Sequence, residues 1–172
     1  GVVDPVEANT LTYQLLMGTA TVVANEDGQI YSPRKQGAGL VNLAAATSTK
    51  QYITVDGTDR VKLELGKDAS KTGVYEMTFN LVNIDKDNAA DFDISIVTYS
   101  VTDDGALAGS VVTVNANGTA KVTVTVTLSD ETKEFYDFCF KYGTYIEGFV
   151  TLTGDVTLSV PFLAFYGDYD AS

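Results

Sequence analysis

Beyond Lys50, apolar and polar side chains alternate with a period of two. Val122, Val124, Val126 and Leu128 share one face of a run whose other face is Thr123, Thr125 and Thr127, the pattern of a half-buried antiparallel strand. Tyr75 to Leu81 and Phe92 to Ile96 alternate in the same way, and shorter candidates lie at 52–55, 61–65 and 111–114. Turn chemistry bounds them at Asp56-Gly57, Asp103-Asp104-Gly105 and Asn117-Gly118. Near the end, Tyr145 to Thr153 and Val156 to Phe165 flank Gly154-Asp155, the spacing of a tight hairpin. Eight short strands so spaced predict a mainly β chain: a two-sheet β-sandwich of immunoglobulin or fibronectin type III character. One segment breaks the alternation. Ser129 with Asp130, Glu131 and Glu134 sets a cap and acids at a helix start, and Phe135, Phe138 and Cys139 form an apolar stripe, so a short inserted helix facing the core is expected.

Before about Ser48 the texture is different, rich in Ala, Leu and Gly. Leu11, Leu15 and Gly18 fall on one helical line, with Tyr13, Leu16, Met17 and Ala20 beside it. This predicts a largely buried helix over 8–20, capped by Asn9 or Thr10. Asn25-Glu26-Asp27-Gly28 reads as a turn, Tyr31 to Gly39 as an irregular segment, and Leu40 to Ala46 as a short helix. A boundary at 48/49 follows, with a small helix-and-loop segment at 1–48 and the sandwich at 49–172.

At 172 residues the chain is long enough for one domain, or one plus a fragment, with a core that needs no metal or disulfide. The single Cys139 cannot form an internal bridge. Eleven Lys and Arg against 23 Asp and Glu give a net charge of −12, which repels nucleic acid and anionic lipid surfaces. The absence of His removes Ser-His-Asp and Cys-His catalysis and His-ligated zinc. No apolar run is long enough to insert in a membrane, and Gly1-Val2-Val3-Asp4 lacks the pattern of a signal peptide, as if the chain began inside a longer one.

Few residues invite chemistry. Asp85, Asp87 and Asp91 offer oxygens at alternating positions, a weak calcium motif lacking the central Gly and terminal Glu of an EF-hand loop; the competing reading is a solvated hairpin connection. Asp103-Asp104, and Asp168 with Asp170, read as turn and tail. Glu147 is the one acid set in an apolar motif, beside Ile146 and Phe149, where a structural role is expected rather than glycosidic catalysis. Cys139 has no His partner and Phe neighbours, which suits a core residue better than a nucleophile. Asn117-Gly118-Thr119 matches a glycosylation sequon, although Asn-Gly is also a turn signal.

Tyr31-Ser32-Pro33-Arg34-Lys35-Gln36-Gly37-Ala38-Gly39-Leu40-Val41-Asn42 resembles the segment that closes the catalytic domain of subtilisin-like serine proteases, above all the cell-envelope proteinases of lactocepin and complement-peptidase type. Leu16-Met17-Gly18-Thr19-Ala20 is similar to the core helix that precedes it. Glu147-Gly148-Phe149-Val150 and Ser159 to Asp168 are similar to the last hairpin of the fibronectin type III-like domain that follows. The resemblance implies a non-catalytic piece: the end of a protease domain plus its first accessory domain, with the nucleophile, Asp and His all upstream. It further implies that Gly37 and Gly39 close the catalytic fold, and that Leu15, Leu16, Met17, Arg34 and Lys35 contact the catalytic body; for the two cations, pairing with acids there competes equally with a solvated basic pair. The implied partners are that upstream domain and the protease's protein substrate, with no cofactor. The implied location is the wall or exterior of a Gram-positive bacterium. An independent adhesion or ligand-binding sandwich is the competing function, against which residues 1–48 argue, because a free-standing module has no use for them.

Overall fold

A computed structural model describes residues 4–99 and 110–170. The helices among them are α1 (Pro5–Gly18), α2 (Pro33–Gln36), α3 (Leu43–Ser48) and α4 (Asp130–Cys139). The strands are β1 (Gln51–Thr54), β2 (Leu63–Asp68), β3 (Val74–Asn83), β4 (Ala90–Thr98), β5 (Val111–Val114), β6 (Thr119–Thr127), β7 (Gly143–Thr153) and β8 (Thr157–Gly167). The turn expected at Asp103-Asp104-Gly105 lies outside the described residues.

Alternation puts one side of each strand into the core. Tyr75, Met77, Phe79 and Leu81 on β3 and Val122 and Val124 on β6 are buried, while Thr123 and Thr125 face out. Two sheets result, one ordered β1-β3-β6 and the other β2-β8-β7-β4-β5. Their pairings are antiparallel except β2 with β8, which is parallel. Between them lies a β-sandwich core in which Ile53, Met77, Leu81, Val150, Leu152, Leu158 and Val160 are wholly excluded from solvent. Asn83, at the end of β3, is a buried polar tie. Its amide donates to the carbonyls of Asn88 (2.9 Å) and Asn115 (3.2 Å), and its oxygen accepts from Asp85 N and Gln51 Nε2 (both 2.9 Å), which fixes the loops at that end of the sandwich.

β7 and β8 do not alternate. Residues 146–150 of β7 are buried without a break, and so is most of β8. Ile146, Val150, Leu158 and Val160 belong to the core, whereas Glu147, Phe149 and Ser159 point the other way and are buried too. Residues from the first 48 lie against that outer face. A sheet covered on both sides reads as a continuous apolar run.

The helices depart from expectation in phase. α1 starts at Pro5 rather than Ala8, because Pro presets the first helical φ and the Asp4 carboxylate accepts from Val6 N (2.9 Å), so Asp4 is the cap and not Asn9 or Thr10. It ends at Gly18, where the Thr19 hydroxyl turns back to the Leu15 carbonyl (2.7 Å). The helix is half-covered rather than largely buried: Leu15, Leu16 and Met17 are intermediate, Leu11 is 38% exposed and Val6 72%. α1 rests on β1, β8 and α3, and the Arg60 guanidinium stacks over the Tyr13 ring at 3.8 Å. The segment expected to be irregular contains the single turn α2, and the third helix begins at Leu43, where the Asn42 side chain caps it, instead of at Leu40. In α4 the expected core stripe faces water. Phe138 is 90% and Phe135 50% exposed, and Cys139 is an exposed thiol rather than a core residue. Ser129 caps the helix through Thr132 N, and that phase turns Thr132 and Tyr136 inward, with Tyr136 packed on Tyr166.

Val124 and Thr125 test the alternation. Val124→Asp buries a charge with no partner and is expected to cost about 4 kcal/mol or more. Thr125→Asp adds only a like charge across the ladder from Glu76 and is expected to cost about 1 kcal/mol or less. Denaturant unfolding of both variants measures the contrast, and equal losses would refute the assignment.

Candidate functional site: the clasp between the N-terminal segment and the sandwich

Residues 19–40 form a loop that holds its own shape. The Gln36 side chain accepts from Val23 N (2.8 Å) and donates to the carbonyls of Val23 (3.1 Å) and Tyr31 (2.6 Å). Thr21 and Leu40 exchange backbone hydrogen bonds of 2.8 and 2.9 Å. That pairing needs Gly39. With φ at 117° and its α-carbon against the Thr21 carbonyl, it has no room for a Cβ. Gly37, with φ at 62°, ends α2 after one turn but has open space around it, so its demand is conformational alone. The sharp exit leaves Ser32 and Arg34 at the start of α2, aimed at β7.

There they meet Glu147. The Ser32 hydroxyl donates to Oε2 at 2.6 Å, Arg34 Nη2 to Oε1 at 2.8 Å, and Arg34 Nε to both oxygens at 3.2 Å. Glu147 is 1% exposed, while the Arg34 side chain remains 46% exposed and stacks over the Tyr145 ring at 4.0 Å. Ser32 also caps α2 through Arg34 N (3.1 Å), so one hydroxyl serves the helix and the carboxylate. Burial pushes the Glu147 carboxyl up, but the hydrogen bonds from Arg34 and Ser32 and the guanidinium charge outweigh it and hold the group below its ordinary range. The same hydrogen bond holds the Arg34 guanidinium above its own ordinary value. What the arrangement does is fasten the N-terminal segment to the middle of the five-stranded sheet.

The other candidate residues scatter. Arg34 finds its acid within the chain, at Glu147, while Lys35 stands exposed without an ion pair among the described residues. Met17, Arg34 and Gly37 line a pocket of about 220 Å³ with Leu63, Pro161 and Phe162, and Leu15 and Leu16 lie half-buried on α1. Asp85 accepts from Lys50 Nζ (2.8 Å), Asp87 N (3.0 Å) and Asn88 N (3.3 Å), with Lys50 first among the causes that hold it well below the usual carboxylate range. Asp91 is hydrogen-bonded by Thr113 (2.6 Å), on another strand pair. No cluster of three or more His, Cys, Asp or Glu side chains is placed to hold a metal ion among the described residues. Asp168 and Asp170 both bind Lys67. Sequence reasoning missed Ser32 and Tyr145; the signal available was Glu147 itself, a lone acid in a run that is otherwise buried.

Two predictions follow from these contacts. Gly39→Ala combines a disfavoured φ with a backbone collision and is expected to cost about 3 kcal/mol, against about 1 kcal/mol for Gly37→Ala, as measured by denaturant unfolding. Arg34→Ala leaves a buried carboxylate and is expected to cost about 2 kcal/mol at pH 7, less than an enclosed pair because Arg34 is half in water. The sign with pH is specific. With its pKa depressed, Glu147 stabilises the native protein above the ordinary carboxylate value near ~4.3 and loses that contribution as pH falls through its folded value. Without the guanidinium, burial raises the folded value instead, so the deficit of the variant is greatest at neutral pH and shrinks as pH approaches ~4. Unfolding curves of both proteins from pH 4 to 7 measure it; a constant difference would refute the role of the pair.

Comparison with known proteins places this geometry. Residues 89–163 match the model of the Fn3-like domain family. A C5a peptidase of Streptococcus pyogenes is 32% identical over 96% of this chain, and that of serotype M1 is 30% identical over the same share. The PII-type proteinase of Lactococcus lactis subsp. cremoris is 29% identical over 85% of the chain. The chain spans 15% of the length of the streptococcal relatives and 8% of the lactococcal one. The chain is therefore homologous to one segment of the C5a peptidases and lactococcal proteinases, and residues 89–163 of it match the Fn3-like domain family.

Proposed function

We propose that the chain is a non-catalytic accessory region of a secreted or cell-wall subtilisin-like serine endopeptidase of a Gram-positive bacterium. Residues 1–48 are the closing part of the catalytic domain, and residues 49–172 are the fibronectin type III-like domain that packs against the protease and helps orient its protein substrate. One observation carries the reading: the N-terminal segment is bonded to the sandwich through the buried Glu147 clasp, yet Val6, Tyr31, Leu40, Val41 and Leu43 on that same segment are 46–72% exposed. A segment tied down on one side and apolar on the other suits an element enclosed between two bodies. The names of the streptococcal and lactococcal relatives and the absence of His support the assignment of chemistry to residues elsewhere in the protein. Among the described residues no helix is long and apolar enough to cross a membrane.

The test has two arms. Incubated with an unfolded protein and an active-site serine probe, the chain is expected to show neither turnover nor labelling; inhibitor-sensitive turnover would overturn the non-catalytic assignment. By hydrogen exchange, amides from Leu11 to Gly18 are expected to exchange faster in the chain alone than in the parent polypeptide, while those from Val122 to Thr127 are protected alike. Equal protection of α1 in both would favour an independent module.

A further inference from the structure

β6 is bonded on one side only. Among the described residues it pairs with β3 and with no other strand, so it forms an edge of the three-stranded sheet. The parity of that pairing is fixed. Asn83 N donates to the Gly118 carbonyl (2.8 Å) at one end, Leu128 N donates to the Gly73 carbonyl (2.8 Å) at the other, and the register between them is unbroken. In an antiparallel ladder, residues that exchange hydrogen bonds alternate with residues whose backbone groups point the other way. The even-numbered residues of β6 therefore bond to β3, while Thr119, Lys121, Thr123, Thr125 and Thr127 turn their N–H and C=O groups outward. Such a row is a template for another strand.

The other edge strands are blunted. β1 and β5 have four residues each, and β2 carries a register shift between Glu64 and Gly66 and the charges of Glu64, Lys67 and Asp68. β6 has nine residues, no Pro, no Gly, no register shift and a single charge, Lys121. Its pattern is complementary to itself. Set antiparallel with Thr123 opposite Thr123 of a second copy, Lys121 faces Thr125, Thr119 faces Thr127, and every outward N–H and C=O of both strands meets a partner. Directly opposite residues share a face, so Thr and Lys stay on the exposed side and Val122 meets Val124 on the core side, and no apolar side chain is turned into water. The net charge of −12 opposes the approach of two copies, yet none of the acids lies on β6. Glu76 stands opposite Thr125 on β3, and the Lys121 of the second copy falls in its row, two strand spacings or roughly 10 Å away at the backbone. Both residues are exposed, and neither forms a salt bridge among the described residues.

We infer that β6 is a homodimerisation edge, which joins two copies of this chain through one six-stranded sheet ordered β1-β3-β6-β6-β3-β1. The inference is independent of the function proposed above. Amide exchange and sedimentation of the chain test it, with a reductant present so that the exposed Cys139 does not cross-link copies. Salt at ~0.3 M screens the net charge, and concentrations up to ~1 mM suit an interface of the weak class. As concentration rises, the chain is expected to pass from monomer to dimer, and the outward amides of Lys121, Thr123 and Thr125 to slow by about threefold or more. Val122 and Val124, bonded to β3, are expected to be protected at every concentration. Thr123→Glu and Thr123→Lys each set like charges face to face at the axis, and each alone is expected to weaken the dimer by about fivefold or more; an equimolar mixture sets Glu against Lys and is expected to return to within about twofold of the unaltered chain. A chain that stays monomeric throughout overturns the inference. So does a dimer in which the outward amides gain no protection, or one that both variants form as well as the unaltered chain, since the contact then lies elsewhere. A mixture that recovers nothing removes Thr123 from the axis and overturns the inference as stated. The exchange pattern of the unaltered chain decides the matter even if a variant folds poorly.

Discussion

A carboxylate enclosed between a sheet and a covering segment stays charged only if donors reach it, and Glu147 meets that constraint with two residues more than a hundred positions away. Much of the architecture follows. The Ser32 hydroxyl and Arg34 guanidinium must arrive over the outer face of β7, so the N-terminal segment must lie there. That face of β7 and β8 is then dry, and Phe149 and Ser159 become buried on the side a two-layer sandwich normally shows to solvent. The loop that delivers the donors needs its own fixed geometry, which Gln36 and the Thr21–Leu40 pairing provide and Gly39 permits. A desolvated pair of this kind is weak evidence of added stability, since apolar residues could replace it. What it adds is selectivity, because a misplaced segment would leave Glu147 buried and unpaired.

The sandwich was legible because its exposed faces are spelled in Thr, Asp and Glu. Val122 to Leu128 reads as a strand from alternation alone, and β3 likewise. β7 and β8 are legible as a hairpin but not as a doubly covered one, since a continuous apolar run is equally the mark of a central strand. The helices were harder. Phe135 and Phe138 occupy helical spacing that predicts a buried stripe, yet the phase of a ten-residue helix is set by where its cap lies and by which ring meets Tyr166; here that is Tyr136. α1 was displaced because Asp4-Pro5 is a stronger start than the polar residues after it. Gly37 and Gly39 stood out as a motif, but nothing in the order of residues distinguishes the one that lacks only a permitted φ from the one that lies on a carbonyl. The clasp was half visible: Glu147 was conspicuous as a lone acid, whereas Arg34 as its partner is a fact of three-dimensional proximity. Ser159 carried no signal, since a Ser in a strand is ordinary until its surroundings are seen.

The connection between α3 and β1 spans only Thr49 and Lys50 and would by itself act as a hinge, because interfaces inside a chain permit relative motion unless they are extensive. Two contacts oppose that motion from different parts of the sandwich. Arg34 grips β7 through Glu147, and the Arg60 guanidinium in the loop before β2 stacks on Tyr13 of α1. A swing at 49–50 must disrupt both at once. A body continuous with the N-terminal segment would therefore inherit the orientation of the sandwich rather than drift against it. A substrate-orienting role requires that inheritance, because a module on a free hinge adds local concentration and a module on a fixed one adds geometry.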